Sequence, residues 1–329
     1  MKMHMSGQTE RKYPGFYQYE YLFTVLVITF NRASLLKRAL ESITRQGTTD
    51  IEVIVVDDGS TDDTKEVVKR FKARTGLNLR YMWHDNCGKP ASYNRALTKI
   101  SGYFTIILDS DDVLSDHILP RLDYWWNTIP EEKRPFFAGV EGLCADLNTK
   151  KVMGDPFPWS PMDSDFLETR YRYGISGDKR HIMRTDVMRE FPFPLFNGEK
   201  EMRESVIWCR MAHKYKFRYV NEIVQYCEQL PGGLTSRARE RRLSSPNNFR
   251  LAFLELLNLH NTYLTPKDQY RAMVRYIRHS TCARISCIKQ LADLVPAKRP
   301  MWFMAFPEGF IGALKDRLLV KRKFERERT

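Results

Sequence analysis

The chain has 329 residues, 43% of them hydrophobic, with ordinary numbers of glycine (17) and proline (16); this excludes a disordered or collagen-like polymer and predicts two domains, or one large domain with an appendage. A mean hydropathy of −0.48, with apolar runs such as Tyr21–Phe30 falling well short of the ~20 residues a spanning helix needs, excludes a polytopic membrane protein. The formal charge of +13 is uneven: residues 237–329 hold 20 Lys+Arg against 8 Asp+Glu and the remainder 33 against 32, so a balanced body and a basic tail that meets something anionic are expected.

Residues 1–20 open MKMHMSGQTERKYPG, which has no apolar stretch of the secretory kind and reads as an extension. Phe23–Thr29 is a β-branched run expected to form a buried parallel strand. Leu35, Leu36, Ala39, Leu40 and Ile43 follow at helical spacing, with Ser34 as the expected N-cap. Ile51–Val56 is the second strand and runs into Asp57-Asp58-Gly59-Ser60. Ser60 or Thr61 is expected to cap a helix with Asp62 and Asp63 in its first turn and Val67, Val68 and Phe71 on its apolar face. Leu77–Trp83 is the third strand, Asn86–Pro90 a turn, and Ala91–Ile100 a helix. Tyr103–Leu108 is the fourth strand and ends in Asp109-Ser110-Asp111-Asp112.

Strands alternating with helices predict βαβ units and a parallel sheet. Ligands bind such sheets beyond the carboxyl ends of the strands, where Thr29, Asp58 and Asp109–Asp112 fall. The stretch from Pro130 to about Leu234 is less regular, with Pro and aromatics at Asp155–Trp159 and Phe191–Pro194, and reads as a binding surface. From Pro246 the pattern turns helical, with Leu251, Leu254, Leu257 and Leu264, then Met273 and Ile277. Six cysteines without a C-x-x-C pair suggest reduced thiols in a cytosolic compartment, with no disulfide framework or zinc site. His84, His181 and His213, lacking a His or Cys partner at ligand spacing, are read as packing or surface residues.

Asp109-Ser110-Asp111 carries the sharpest chemistry. Crowded carboxylates at a strand end, with Asp112 beside them, repel unless a cation neutralises them. Mg²⁺ or Mn²⁺ with a diphosphate suits them, because such ions take few carboxylates and complete their shell with phosphate oxygens. Taken alone, the motif reads equally well as a capping cluster on a solvated turn, and Asp58 as the aspartate of an Asp-Gly turn. Their common edge favours the other reading: Asp58 can accept from a uracil N–H two strands from the carboxylate pair, which makes a nucleotide-diphosphate site.

In order and spacing, VLVITFNRASLLKRALESI, IEVIVVDDGSTDDT, the Asn86–Leu97 turn and helix, and YFTIILDSDDVL resemble the family 2 glycosyltransferases of the GT-A fold. The likeness runs from about Phe23 to Leu114 and continues more thinly through Gly198–Val220. It implies an α/β, Rossmann-like, mostly parallel sheet with flanking helices over residues 21–236, with a nucleotide-sugar half (21–120) and an acceptor half (121–236), before a helical, basic region at 237–329. It further implies an inverting transferase with Mn²⁺ or Mg²⁺, moving a hexosyl or N-acetylhexosaminyl group from a UDP-sugar to a hydroxyl. The acceptor would be a glycan or a polyprenyl-diphosphate-linked glycan in cell-surface polysaccharide synthesis; transfer to a polyprenyl phosphate is the alternative.

Carried over residue by residue, Thr29 and Asn31 fall in the loop that lines the nucleoside, and Asp58 on the uracil-binding aspartate. Lys89, Asn94 and Ser110 fall near the donor, although Lys89 also reads as an exposed turn lysine. Asp109 and Asp111 fall on the D-x-D, with Asp111 ahead of Asp109 as the direct metal ligand. Glu204, before Ile207-Trp208-Cys209-Arg210, takes the general-base position, with Glu in place of the usual Asp and no acidic neighbour; Glu199 and Glu201 are its rivals. Tyr93 stands where many members carry Arg. Gln229–Thr235 reads as a loop that closes over the donor, or as a simple connector to the helical tail. In this chemistry an oxocarbenium-like state forms as the diphosphate leaves and a carboxylate deprotonates the acceptor.

Pro300–Leu314 is apolar and aromatic, too short and broken to span a bilayer, and followed by the basic Lys315–Lys323. Apolar aromatics beside Lys/Arg describe a segment lying in an anionic membrane interface; the family resemblance implies that this is the cytoplasmic face of the inner membrane. A helical subdomain packed on the body is the other reading. A basic nucleic-acid-binding protein is the non-enzyme alternative, but no named nucleic-acid motif accompanies the charge, and no nucleic acid is expected as a partner.

Overall fold

The computed structural model describes residues 18–228, 243–259 and 263–326, together with 13, 15 and 240, with side chains to residue 318. Gln229–Thr235, the expected closing loop, lies outside the described residues. The chain divides into two compact units, Met1–Pro192 with Met211–Gln229, and Phe193–Arg210 with Leu230–Thr329. Sequence reading drew its division after residue 236; Phe193–Arg210 groups with the C-terminal helices.

The first unit is built on one sheet of nine strands: β1 (Tyr21–Thr29), β2 (Ile51–Asp57), β3 (Asn78–Trp83), β4 (Gly102–Asp109), β5 (Val113–Leu114), β6 (Phe137–Asp146), β7 (Met162–Ser164), β8 (Lys179–Arg184) and β9 (Lys216–Cys227). Their order is β3-β2-β1-β4-β8-β6-β9-β5, with β7 beside β9. The first four pair in parallel, Val25 opposite Val53 and Ile106, as the alternation of strands and helices predicts. Alternate residues Val25, Val27, Val53, Val55 and Ile106 share one core with Leu36, Leu40, Val68, Phe71, Leu122 and Trp126 from the helices Ala33–Thr44, Thr64–Thr75 and Ile118–Asn127. Leu26, Ile28, Ile54 and Val56 are buried as well. Strands buried on both faces read as unbroken apolar runs.

The expected caps are not those observed. Ser34 lies inside the first turn of its helix, and neither Ser60 nor Thr61 caps the next. Asp62 replaces them: its carboxylate accepts from the Ala33 N–H (3.0 Å) and from the Thr64 N–H (3.1 Å), so one side chain serves two helix starts.

The stretch read as irregular contains two long strands, β6 and β9. Gly139 and Gly142 interrupt the apolar pattern of β6 and hid it. A Cβ at Gly139 would stand 2.0 Å from the Ile182 carbonyl oxygen, and one at Gly142 2.5 Å from Val224. The glycines let neighbouring strands approach closely, at the expense of a legible period.

Glu52 is an acid inside an otherwise apolar strand. It is buried, and Oε1 accepts from Thr24 Oγ1 (2.6 Å), the Gly102 N–H (3.0 Å) and the Ser101 N–H. The carboxylate thus stitches β2 to β1 and to the start of β4, at the end of the sheet opposite the D-x-D. Glu52→Ala strands these donors without partners and is expected to cost roughly 3 kcal/mol. A urea midpoint matching the parent's would contradict that role.

The second unit is helical. Its elements include Pro246–Asn258, Pro266–Cys282, Cys287–Asp293 and Arg299–Arg326. Phe253, Leu257, Met273, Tyr276, Ile277, Trp302, Ala305 and Ala313 are buried. Pro300–Leu314 and the basic run that follows form one continuous helix, Arg299–Arg326, passing through Pro307, as the helical reading of this region expects. Among the described residues, no helix is long and apolar enough to cross a membrane.

Candidate functional site

The carboxyl ends of β1, β2 and β4 lie side by side, because Thr29 is in register with Asp57, and Ile28 with Asp109. The Asp58 N–H donates to the Thr29 carbonyl (2.9 Å), which locks the two loop starts together. Asn31, in the left-handed region (φ 50°), donates its N–H to Ser60 Oγ and accepts from the Thr61 N–H, each at 2.8 Å. Thr29 Oγ1 is buried and, among the described residues, has no hydrogen-bond partner.

Beyond β4 the chain turns tightly, the Asp112 N–H donating to the Asp109 carbonyl at 3.0 Å. Asp109 faces two cations: Lys89 Nζ at 2.6 Å and Arg180 Nη2 at 3.0 Å. Burial opposes its charge, but Lys89 and Arg180 outweigh burial and hold the carboxyl well below the usual range. Asp111 pairs with Arg32 Nη1 at 2.7 Å. Arg38 Nη2 donates to the Asp111 carbonyl (2.8 Å) and to Glu228 Oε2 (2.5 Å), tying the end of β9 to this turn. Asp112 is buried and accepts from the Gln225 amide. Burial first, then Cys227 and Asp109 nearby, push it up to about 8, against the pull of Arg180. The two partly exposed carboxylates of the turn, Asp109 and Asp111, are thus paired with three cations, Arg32, Lys89 and Arg180. The surplus is positive and suits a diphosphate.

Asp58 is buried under the turn that starts the helix Lys89–Leu97. Its Oδ1 accepts from the Cys87 N–H (2.8 Å) and its Oδ2 from the Gly88 N–H (2.9 Å). Among the described residues, one trio of possible metal ligands lies within 4.8 Å of one another: Asp58, His84 and Cys87. His84 Nδ1 is 3.4 Å from Cys87 Sγ, which corrects the reading of His84 as lacking a cysteine neighbour. That nitrogen also meets the Asp85 carbonyl at 2.8 Å, and a nitrogen facing a carbonyl there carries its proton. The trio organises the turn, Asp58 accepting from its backbone N–H groups.

For a hard divalent ion the chemically suited donors are Asp109 and Asp111, partly exposed oxygen ligands at one strand end. The set fits such an ion, with one condition: each carboxylate now faces its own cations, so an incoming ion competes with Arg32, Lys89 and Arg180.

Of the residues expected from sequence, Thr29 and Asp109 end β1 and β4, Asn31, Asp58, Ser110 and Asp111 lie on the loops after β1, β2 and β4, and Lys89 lies at the adjoining helix start. Asn94 is half-buried one turn further along that helix. Lys89, equally readable as an idle turn lysine, is bound to Asp109. Tyr93 is buried core, so the departure from Arg there supplies packing. Glu204 belongs to the other unit, at the start of the helix Ser205–Met211, where its carbonyl accepts from the Ile207 N–H (3.0 Å). Glu199 is committed elsewhere: its two oxygens accept from the Asn247 and Asn248 N–H groups, both at 2.9 Å, and cap the helix Pro246–Asn258. Arg32, Arg38 and Arg180 were not singled out from sequence. Arg32 follows Asn31 directly and was findable; Arg180 sits on β8, inside the stretch that carried no period.

Residues 24–128 match the family model described as "Glycosyl transferase family 2". The chain is 32% identical over 312 residues to "Poly(ribitol-phosphate) beta-N-acetylglucosaminyltransferase TarS" of Staphylococcus aureus, covering 90% of this chain and 50% of that one. It is 28% identical over 208 residues to "GalNAc(5)-diNAcBac-PP-undecaprenol beta-1,3-glucosyltransferase" of Campylobacter jejuni, covering 60% of this chain and 62% of the relative. The chain thus spans less than two thirds of the length of these curated relatives. Among solved structures, residues 1–349 of S. aureus TarS in complex with UDP superpose with a TM-score of 0.59 at 19% identity, covering 92% of this chain and 91% of that one, which shows a shared fold.

Proposed function

We propose that this chain, a family 2 glycosyltransferase by its residues 24–128, moves a sugar from a UDP-sugar to a hydroxyl of a glycan or lipid-linked glycan with inversion, in cell-surface polysaccharide synthesis. The observation that carries this reading is the surplus of cations around Asp109 and Asp111 at the carboxyl edge of the parallel strands, beside the buried Asp58. Such an edge recognises a nucleoside diphosphate. TarS, a relative by sequence, is named for N-acetylglucosaminyl transfer, and its first 349 residues have been solved with UDP-GlcNAc, which makes UDP-GlcNAc the first donor to test.

Asp111 and Asp109 are the residues to hold Mn²⁺ or Mg²⁺, and when bound that ion supplies positive charge opposite the departing diphosphate. The remaining work falls to the chain itself. Arg32 and Lys89, on giving up their carboxylates, have charge-assisted donors ready for phosphate oxygens. Asp58 orients the nucleobase. Glu204 takes the proton from the acceptor hydroxyl; Glu199, occupied as a helix cap, is the weaker rival.

The test is a panel of UDP-sugars incubated with the full chain and Mn²⁺ or Mg²⁺, scored for slow donor hydrolysis. One or two donors are expected to turn over, UDP-GlcNAc first among them. Absence of binding and of turnover with every donor and both metals would overturn the reading.

A further inference from the structure

The helix Arg299–Arg326 has two unlike faces. Its inner face, Trp302, Ala305, Gly309, Ala313 and Asp316, packs within the helical unit. A Cβ on Gly309 would stand 2.7 Å from Ile277, and Arg278 binds Asp316 through two bonds of 2.5 and 2.6 Å. That face is therefore fixed against the helix Pro266–Cys282. The other face carries Phe303 (63% exposed), Met304 (71%), Ile311 (51%) and Leu318 (60%), with Phe310 and Leu314 between them. At 3.6 residues per turn these share one stripe, about 22 Å long at 1.5 Å per residue. Single exposed apolar side chains are ordinary, but six in one row call for a covering partner.

Charge decides which partner. By helical angle, Lys315 and Arg317 flank the stripe on opposite edges, both exposed; Arg317 also donates to the Thr281 carbonyl at 2.6 Å. Glu308, the acid near this face, is engaged by the Tyr270 hydroxyl (3.1 Å). Residues 237–329 carry 20 Lys+Arg against 8 Asp+Glu, so two copies meeting here would press like charges together, whereas an anionic lipid surface would not. We propose that this stripe lies on an anionic bilayer surface, the aromatic and aliphatic side chains entering the headgroup boundary and the basic edges meeting lipid phosphates. The proposal stands on the helix alone and does not depend on the reading of the sheet edge.

Flotation of the full chain with vesicles tests it, using phosphatidylcholine alone or equal parts of phosphatidylcholine and phosphatidylglycerol. Binding is expected to the mixed vesicles, to weaken as salt rises, and to fall at least about tenfold in the double variant Phe303→Asp, Ile311→Asp and several-fold in Lys315→Glu. The positions are exposed, so the variants should keep the parent's melting temperature; should the double variant unfold, Lys315→Glu alone decides. No binding to the mixed vesicles, or equal binding by the variants, would overturn the proposal. So would a concentration-dependent dimer in sedimentation that the double variant abolishes, which would assign the face to a second copy.

Discussion

Asp111→Asn is expected to lower sugar transfer by roughly 10²–10³-fold, the scale seen when one preorganised electrostatic contact to developing charge is lost. The change is nearly isosteric and sits on a partly exposed turn, so the fold should survive it. Two effects combine. On the proposed mechanism the neutral amide would not hold the divalent ion, and Arg32, which now spends its charge on Asp111 at 2.7 Å, is left with a weaker acceptor. Steady-state rates with a saturating donor measure the outcome. If Asp111 serves only to cap the turn, activity should stay within a few-fold of the parent, and the affinity for metal should not move.

Glu204→Gln is the second large effect: a loss of roughly 10²–10⁴-fold in kcat, the usual contribution of a general base, with donor affinity unchanged. The matched control is Glu199→Gln. Because Glu199 caps the helix Pro246–Asn258 through two backbone N–H groups, its loss should appear mainly as reduced stability, about 1 kcal/mol, with kcat largely retained. The reverse pattern would move the base to Glu199. Full activity in Glu204→Gln would instead favour an acceptor that needs no base, such as a polyprenyl phosphate.

The parallel half of the sheet was legible because both of its faces are covered. β1, β2 and β4 therefore read as mostly apolar runs, interrupted only by Thr24, Glu52 and Thr105, and their carboxyl ends carry polar residues where ligands bind such sheets. The mixed half was not legible. β6 spends two positions on Gly139 and Gly142 so that backbones can approach, which erases the period that marks a strand. Arg180 was lost with it. The aspartates were found as a group, but sequence spacing cannot tell their environments apart: Asp112, one residue from Asp111, is buried and its carboxyl is pushed up, whereas two cations hold that of Asp109 down. His84 was misjudged for a related reason. Its partner Cys87 is three residues on in a turn, where spacing rules drawn from helices and zinc motifs do not apply.

The most direct measurement is calorimetric titration of UDP into the full chain, with and without Mn²⁺, repeated for Asp109→Asn and Asp111→Asn. The expected result is binding that strengthens at least about tenfold with the metal, a gain that both variants lose. UDP affinity that ignores the metal and both substitutions would contradict the account.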